Sequence, residues 1–395
     1  MRFRGLKIGI PREIMEGELR VASTPEMVAK MICEGAEVLV ERDAGKGSLF
    51  SDQDYLEAGA TIQDKASVLF EQSDVILKVK EPLFVAAAGI HEVEMLKPGQ
   101  HLITFIHPAS PSNHAMVKKL ADRGVISLSL DSIPRITRAQ AMDALTSMST
   151  VAGYKAVLMA ADMLPKFMPM MGTAVGMIAP AKVLVVGVGV AGLQALATAK
   201  RLGAEVQAAD IRPDACEQAH SLGAKAVELG VPADVAVGEG GYARSLPASW
   251  LSHERDRLRE AVAHTDILIL SALIPGKIAP VLIDRQMVRV MKPGAIIVDI
   301  AIDQGGNCEL TEGGKTIDIE DIHIIGTKNI PGMVPISSTW MFARNIYNFL
   351  SHIVKDGHLT LDSADEIIAS ALVTRDGKVV HKGALEAMNE SEKGK

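Results

Sequence analysis

At 395 residues the chain is too long for one small core and is expected to form two domains of ordinary size. Its 48% hydrophobic and 23% charged content is globular, and a net charge of −7 without a lysine or arginine run argues against a nucleic-acid partner. Cys33, Cys216 and Cys308 lie far apart without CxxC spacing, so neither a disulfide framework nor a cysteine zinc site is expected, in keeping with a reducing cytoplasm.

Lys7, Arg12 and Glu13 bracket the first apolar run, which does not fit a signal peptide. Short apolar runs then alternate with amphipathic stretches, the rhythm of βα units around a parallel sheet. Strands are predicted at 7–11, 36–41, 75–80, 101–106 and 125–130, and helices at 25–34 and 111–123. Pro11 follows the first strand and no glycine cluster comes after it, so this half lacks a loop that would hold phosphate. PRITRAQAMDAL (134–145) then crowds two arginines, a glutamine and an aspartate into a helix start. Thr137 and Gln140 have the spacing of a capping box, Asp143 shares a helix face with Gln140, and Arg135 is placed to pair with Asp143. Arg138 is expected to be a solvated charge.

The most apolar region, 167–199, is broken by Pro169, Pro180 and Lys182. A strand leading into a buried helix explains it better than a membrane span, so the chain is expected to be soluble. The methionines within 168–177 are expected to be adaptable packing. At 182–212 a β-run ends in Gly187-x-Gly189-x-x-Gly192, a helix follows, and a second strand ends in Asp210. Gly187 permits a tight turn, Gly189 lets backbone approach a pyrophosphate, and Gly192 lets helix pack on strand. The helix N-terminus favours phosphate, and Asp210 sits where a carboxylate accepts a ribose diol, which reads as an NAD(H) site; Arg212 nearby leaves NADP open.

Further strands are predicted at 266–273, 295–302 and 323–326, a helix at 337–354, and a hairpin at 371–381 turning at Asp376-Gly377. The expected architecture is α/β, with two Rossmann-like doubly wound parallel-sheet domains. The NAD-binding one (141–329) is inserted into the other (1–140 and 330–395), and chemistry is expected in the cleft between them.

RVASTPEMV (20–28), VGVGVAGLQA (186–195), ALIPGKIAPVLI (272–283), MKPGAIIVDIA (291–301) and GGNC (305–308) resemble one superfamily over nearly the whole chain. It joins the alanine dehydrogenases to the NAD(H)-binding component of proton-translocating nicotinamide nucleotide transhydrogenase. RITRAQAMDALTSMSTVAGY (135–154) resembles the transhydrogenase branch's Arg-Gln-Asp loop, which implies that Arg135, Gln140 and Asp143 serve hydride transfer. GEGGYARSL (238–246) resembles the mobile loop that folds over NAD(H), with Tyr242 in the tyrosine's place, and VTRDGKVVH (373–381) resembles the end of a separately encoded subunit. The resemblance implies NAD(H) contacts from Gly187, Gly189, Val190, Ala191, Gly192, Asp210, Ile211, Arg212, Tyr242, Ala272 and Leu273. It also implies an NADP(H)-binding partner subunit, membrane-embedded subunits that move protons, a homodimer, and a cytoplasmic position on the inner face of the membrane.

Arg20, Lys78, His107 and Asp303 resemble instead the substrate-carboxylate anchors and acid–base groups of alanine dehydrogenase, as do AIDQGG (301–306) and NIPGMVPISST (329–339). They imply a second chemistry, oxidative deamination of L-alanine to pyruvate. The two reactions differ in what they require. Hydride passage between two nicotinamides moves no proton and is a problem of orientation. Deamination needs a cation for the carboxylate and a proton acceptor near neutral pH, a task suited to histidine. A single histidine before Pro108 is equally a hydrogen-bonded strand end. The histidines show no ligand spacing, so no metal is expected.

Overall fold

The structure, a computed structural model, describes residues 1–86, 88–238, 241, 243–274 and 278–393, the last four by backbone alone. The chain divides into two compact units, Met1–Met148 with Gly332–Lys395, and Ser149–Pro331.

The main sheet of the first unit takes its first strands as β1 (Lys7–Ile10), β2 (Glu37–Glu41), β3 (Thr61–Gln63), β4 (Val75–Leu77), β5 (His101–Thr104) and β6 (Ile126–Ser129). They pair in parallel in the order β3-β2-β1-β4-β5-β6. Such strands are covered on both faces, which is why Val75, Ile76 and Leu77 are all buried in sequence. Helix α1 (Pro25–Cys33) starts where the Thr24 hydroxyl accepts the Met27 N–H and proline occupies the first turn. Strands 75–80 and 101–106 stop short of their predicted ends. Past Leu77 the N–H groups of Val79 and Lys80 turn to the Glu13 carboxylate, 2.6 and 3.3 Å away, while the Lys78 N–H and the Val79 carbonyl keep their bonds to Ile103 of β5 and to Phe105 just after it. Helix α2 (Ala144–Met163) then carries the chain into the second unit.

The second unit contains β7 (Lys182–Val186), β8 (Glu205–Ala209), β9 (Lys225–Ala226), β10 (Ile267–Leu270), β11 (Ile296–Asp299), β12 (Thr316–Ile319) and β13 (Ile322–Ile325). Their order is β9-β8-β7-β10-β11-β13-β12, parallel except for the final pair. β7 shows why its sequence is an unbroken apolar run. Val183 and Val185 pack on one side with Ala195 and Leu196, while Leu184 and Val186 pack on the other with Leu258 and Val262. Helices α3 (Val190–Arg201) and α4 (Ala248–Ala263) supply these partners. Chain order reverses between β7 and β10, so the loops leaving those two strands flank a crevice.

Before β7 a hairpin pairs Met171–Thr173 with Gly176–Ile178. The expectation that the methionines of 168–177 are packing holds for Met168, which is buried; Met170, just before the hairpin, Val175 in its turn and Met177 on its second strand are exposed.

The chain returns to the first unit through α5 (Pro335–Ile353), which buries Phe342, Ile346, Phe349 and Leu350. β14 (Leu372–Arg375) adds antiparallel to β6, and β15 (Lys378–Val379) pairs with β14, completing an eight-stranded sheet. Asp376 and Gly377 both have positive φ, the backbone that a two-residue hairpin turn of matching twist requires. Among the described residues no helix is long and apolar enough to cross a membrane.

Candidate dinucleotide site

β7 ends in a turn at Gly187, where φ is +86°. A Cβ on Gly187 would lie 2.4 Å from the backbone nitrogen of Ala272, and one on Gly192 would lie 2.2 Å from the carbonyl oxygen of Gly187. Backbone meets backbone at both positions, so neither admits a side chain. Gly189 is different. A Cβ there meets nothing within 4 Å, which leaves open space beside the N-terminus of α3. The first N–H groups of a helix have no partner within it, and its dipole favours an anion, so this cradle fits a pyrophosphate. Val190 and Ala191 form its first turn, half-buried. Gly153 of α2 lies beneath them, where a Cβ would come 2.0 Å from the carbonyl oxygen of Ala191.

Asp210 follows β8, with its side chain only 5% exposed. Its Oδ2 accepts from the Val188 N–H at 2.7 Å and Arg212 Nη2 at 2.8 Å, and its Oδ1 from the N–H and Nε of Arg212, both at 2.9 Å. Four donors use the usual acceptor capacity of a carboxylate, so any ribose diol placed on Asp210 would have to displace the Arg212 side chain. Glu254 of α4 is buried, and burial together with the charge of Asp210 pushes its carboxyl up to about 7, against the pull of Arg255. Ile211 and Ala272 pack on the core face that includes Leu270, while Leu273 is 39% exposed. Tyr242 lies outside the described residues.

The loop leaving β10 closes the other side of the crevice. Ser271 Oγ donates to the Gly187 carbonyl at 2.6 Å, which seats this loop on the glycine turn. Gly153, Ser271, Glu254 and Asn307 all shape the site, and no motif gives any of them a role. Gly153 leaves a trace as a lone glycine within a helical stretch, and Asn307 lies within the GGNC block, but neither pattern says what the residue does.

In the first unit the polar loop is a 3-10 turn, Thr137–Met142. Its cap position is Ile136, with no side-chain cap, so the capping box expected of Thr137 and Gln140 does not form. The capping residue is Asp143, which accepts the Thr146 N–H at 2.8 Å and its hydroxyl at 2.6 Å and so begins α2. The turn is seated on α5 by the Asn345 and Asn348 amides, which donate to the Ala141 carbonyl at 3.0 and 3.1 Å. Ala139 and Met142 face the core, whereas Arg135 and Gln140 are exposed. Arg138 is not merely solvated: its guanidinium reaches both oxygens of Asp365 at 3.3 Å.

The second set of residues has a different character. Lys78 is fully buried, its Nζ 2.8 Å from Glu92 and 3.4 Å from Glu13, both also buried. Burial alone would lower the Lys78 pKa, but the two carboxylates outweigh it and hold the ammonium charged; burial raises Glu13 despite Lys78. Arg20 is likewise buried, and its Nε donates to Glu18 at 2.7 Å. His107 has the left-handed φ of +48°, stacks on Phe105, and places Nδ1 3.4 Å from Asp131. Its side chain is 41% exposed; partial burial works against the imidazolium, yet Asp131 raises its pKa above the ordinary value. Asp303 belongs to the second unit and is exposed, accepting the Asn329 N–H at 3.4 Å. Among the described residues no group of three His, Cys, Asp or Glu is arranged to hold a metal ion.

Residues 9–152 match the family described as alanine dehydrogenase/PNT, N-terminal domain, and residues 156–382 the corresponding C-terminal domain. The chain is 43% identical over 379 residues to the first segment of the divided NAD(P) transhydrogenase subunit alpha of Rhodospirillum rubrum, covering 95% of this chain and 98% of that protein. It is 31% identical over 391 residues to alanine dehydrogenase of Mycolicibacterium smegmatis, covering 97% and 96%. The crystal structure of transhydrogenase from Sinorhizobium meliloti superposes with a TM-score of 0.82 at 38% identity, covering 95% of this chain and all of that one.

Proposed function

Because the chain belongs to the alanine dehydrogenase/PNT family, we propose that it is the NAD(H)-binding α subunit of a proton-translocating NAD(P) transhydrogenase, passing hydride from NADH to NADP+ held on a partner subunit. One observation favours this over amino-acid oxidation. The cations that would anchor a substrate carboxylate are already committed, Lys78 between Glu13 and Glu92 and Arg20 on Glu18. A second anion there would compete with buried partners.

NAD(H), when bound, supplies the hydride. Gly187, Gly189 and Gly192 would hold its pyrophosphate with Val190 and Ala191, Asp210 would take the adenosine ribose once the Arg212 side chain moves aside, and Ile211, Ala272 and Leu273 would line the remainder. Arg135, Gln140 and Asp143 orient the transfer; none of them needs to gain or lose a proton. Proton movement belongs to membrane-embedded partners, which hold this chain at the cytoplasmic face of the membrane. A homodimer is the proposed state, and the apolar hairpin that carries Val175 and Met177 is suited to self-association.

The test is an assay of the purified chain with NAD+ and L-alanine, beside one with NADH, NADP+ and the complementary subunits of a related transhydrogenase. Hydride exchange only in the second is expected. Robust NAD+ reduction by alanine without a partner would overturn the proposal, and a sedimentation mass of one chain would remove the dimer. The alternative, NAD-dependent alanine dehydrogenase, is favoured by one feature, the His107–Asp131 pair, in which the carboxylate raises the pKa of the imidazole toward a range suited to proton transfer.

A further inference from the structure

We propose that Asn307 is the positioning residue for the nicotinamide half of the cofactor seat, an assignment that rests on the NAD(H) reading above. Asp299, fully buried at the end of β11, accepts the backbone N–H of Asn307 at 2.9 Å and that of Cys308 at 3.0 Å. These bonds fix the backbone, and the side chain then reaches the loop after β10. Asn307 Oδ1 accepts the Ala272 N–H at 2.9 Å, and Nδ2 donates to the carbonyls of Ala272 and Pro280, each at 2.8 Å. The Asn307 carbonyl in turn accepts the N–H groups of Leu282 and Ile283.

A single residue thus ties together the two ends of the segment from Ala272 to Pro280. No other side chain combines this reach with two donors and an acceptor in one plane: aspartate lacks the donors, and serine is too short. Ala272 is the residue whose backbone sets the approach to Gly187. The strand order places the adenosine half of a dinucleotide on the β8 side and the other mononucleotide on the β10 side. The start of the loop that Asn307 holds, Ala272 and Leu273, would therefore border the nicotinamide ribose. Asn307 itself is fully buried, so it acts through Ala272 and Leu273 and does not touch the cofactor.

The experiment compares Asn307→Ala with the unaltered protein for binding of NADH and of ADP-ribose, which lacks the nicotinamide. The variant is expected to bind NADH about tenfold more weakly and ADP-ribose within about twofold of the unaltered protein. Equal weakening of both ligands, or of neither, would overturn the proposal. An unaltered protein that binds neither ligand would instead defeat the NAD(H) reading. Should Asn307→Ala fail to fold, Asn307→Asp keeps the acceptor for Ala272, loses both donors, and is read in the same way. Hydrogen exchange on the unaltered protein needs no variant: the Ala272 amide is expected to exchange slowly without cofactor, and fast exchange there refutes the clamp.

Discussion

Replacing Glu254 by glutamine removes one buried charge beside Asp210 while keeping the size of the side chain. In the open chain this carboxyl titrates near 4.5; in the fold, burial and Asp210 raise it to about 7. Between those values the folded protein binds a proton that the unfolded chain has released, so stability falls as pH rises and levels off above the folded value. The full penalty is about 3 kcal/mol, and about 2 kcal/mol of it accrues between pH 5.5 and pH 8. Glutamine cannot ionise and escapes this loss. Glu254→Gln should therefore gain stability over the parent by an amount that grows by about 2 kcal/mol across that interval. The chain has two tryptophans, Trp250 on α4 and Trp340 on α5, so a Trp340→Phe background leaves Trp250 to report the second unit. Urea unfolding followed by its fluorescence at both pH values gives the difference. A gain that is equal at the two pH values would refute the assignment of the titration to Glu254.

Lys78→Met leaves Glu13 and Glu92 buried without their cation and should destabilise the first unit by about 3–5 kcal/mol; Glu13→Gln and Glu92→Gln added together should recover most of that loss, by urea titration. Gly192→Ala drives a Cβ into the Gly187 carbonyl and should weaken NADH binding by about a hundredfold or more, and a calorimetric affinity near the parent's would contradict the close-packed turn. Gln140→Asn shortens an exposed side chain that caps nothing; NADH affinity should hold within about threefold while transfer in the reconstituted enzyme slows about tenfold, and unchanged turnover would remove Gln140 from the transfer step.

The parallel sheets and the tight glycine turn were legible because they are local: an apolar run, a glycine spacing and an acid at the next strand end all lie within one βαβ unit. The capping device was not, since Thr137 and Asp143 both offer a side-chain oxygen and the winner depends on how the turn seats against Asn345 and Asn348, some two hundred positions away. The same holds for Arg138, whose partner Asp365 comes from the far end of the chain. Strand β12 escaped prediction because Thr316–Ile319 is largely exposed and pairs only at the sheet edge. The committed state of Lys78 could not be read from spacing either, because Glu13 and Glu92 reach it from separate loops.

The late arrival of β14 governs how this polypeptide is made. While the ribosome is still synthesising the middle of the chain, β6 presents a bare edge of N–H and C=O groups, and the helix that will bring Phe342 and Phe349 into the core of the first unit does not yet exist. Residues 149–331 can mature first, whereas the leading segment must wait for residues 332–395, roughly 200 Å of nascent chain when extended. An unguarded edge of that kind invites mispairing with neighbouring chains. Shortages of chaperone, or truncation before Leu372, should therefore produce aggregates seeded by the leading segment while residues 149–331 remain intact.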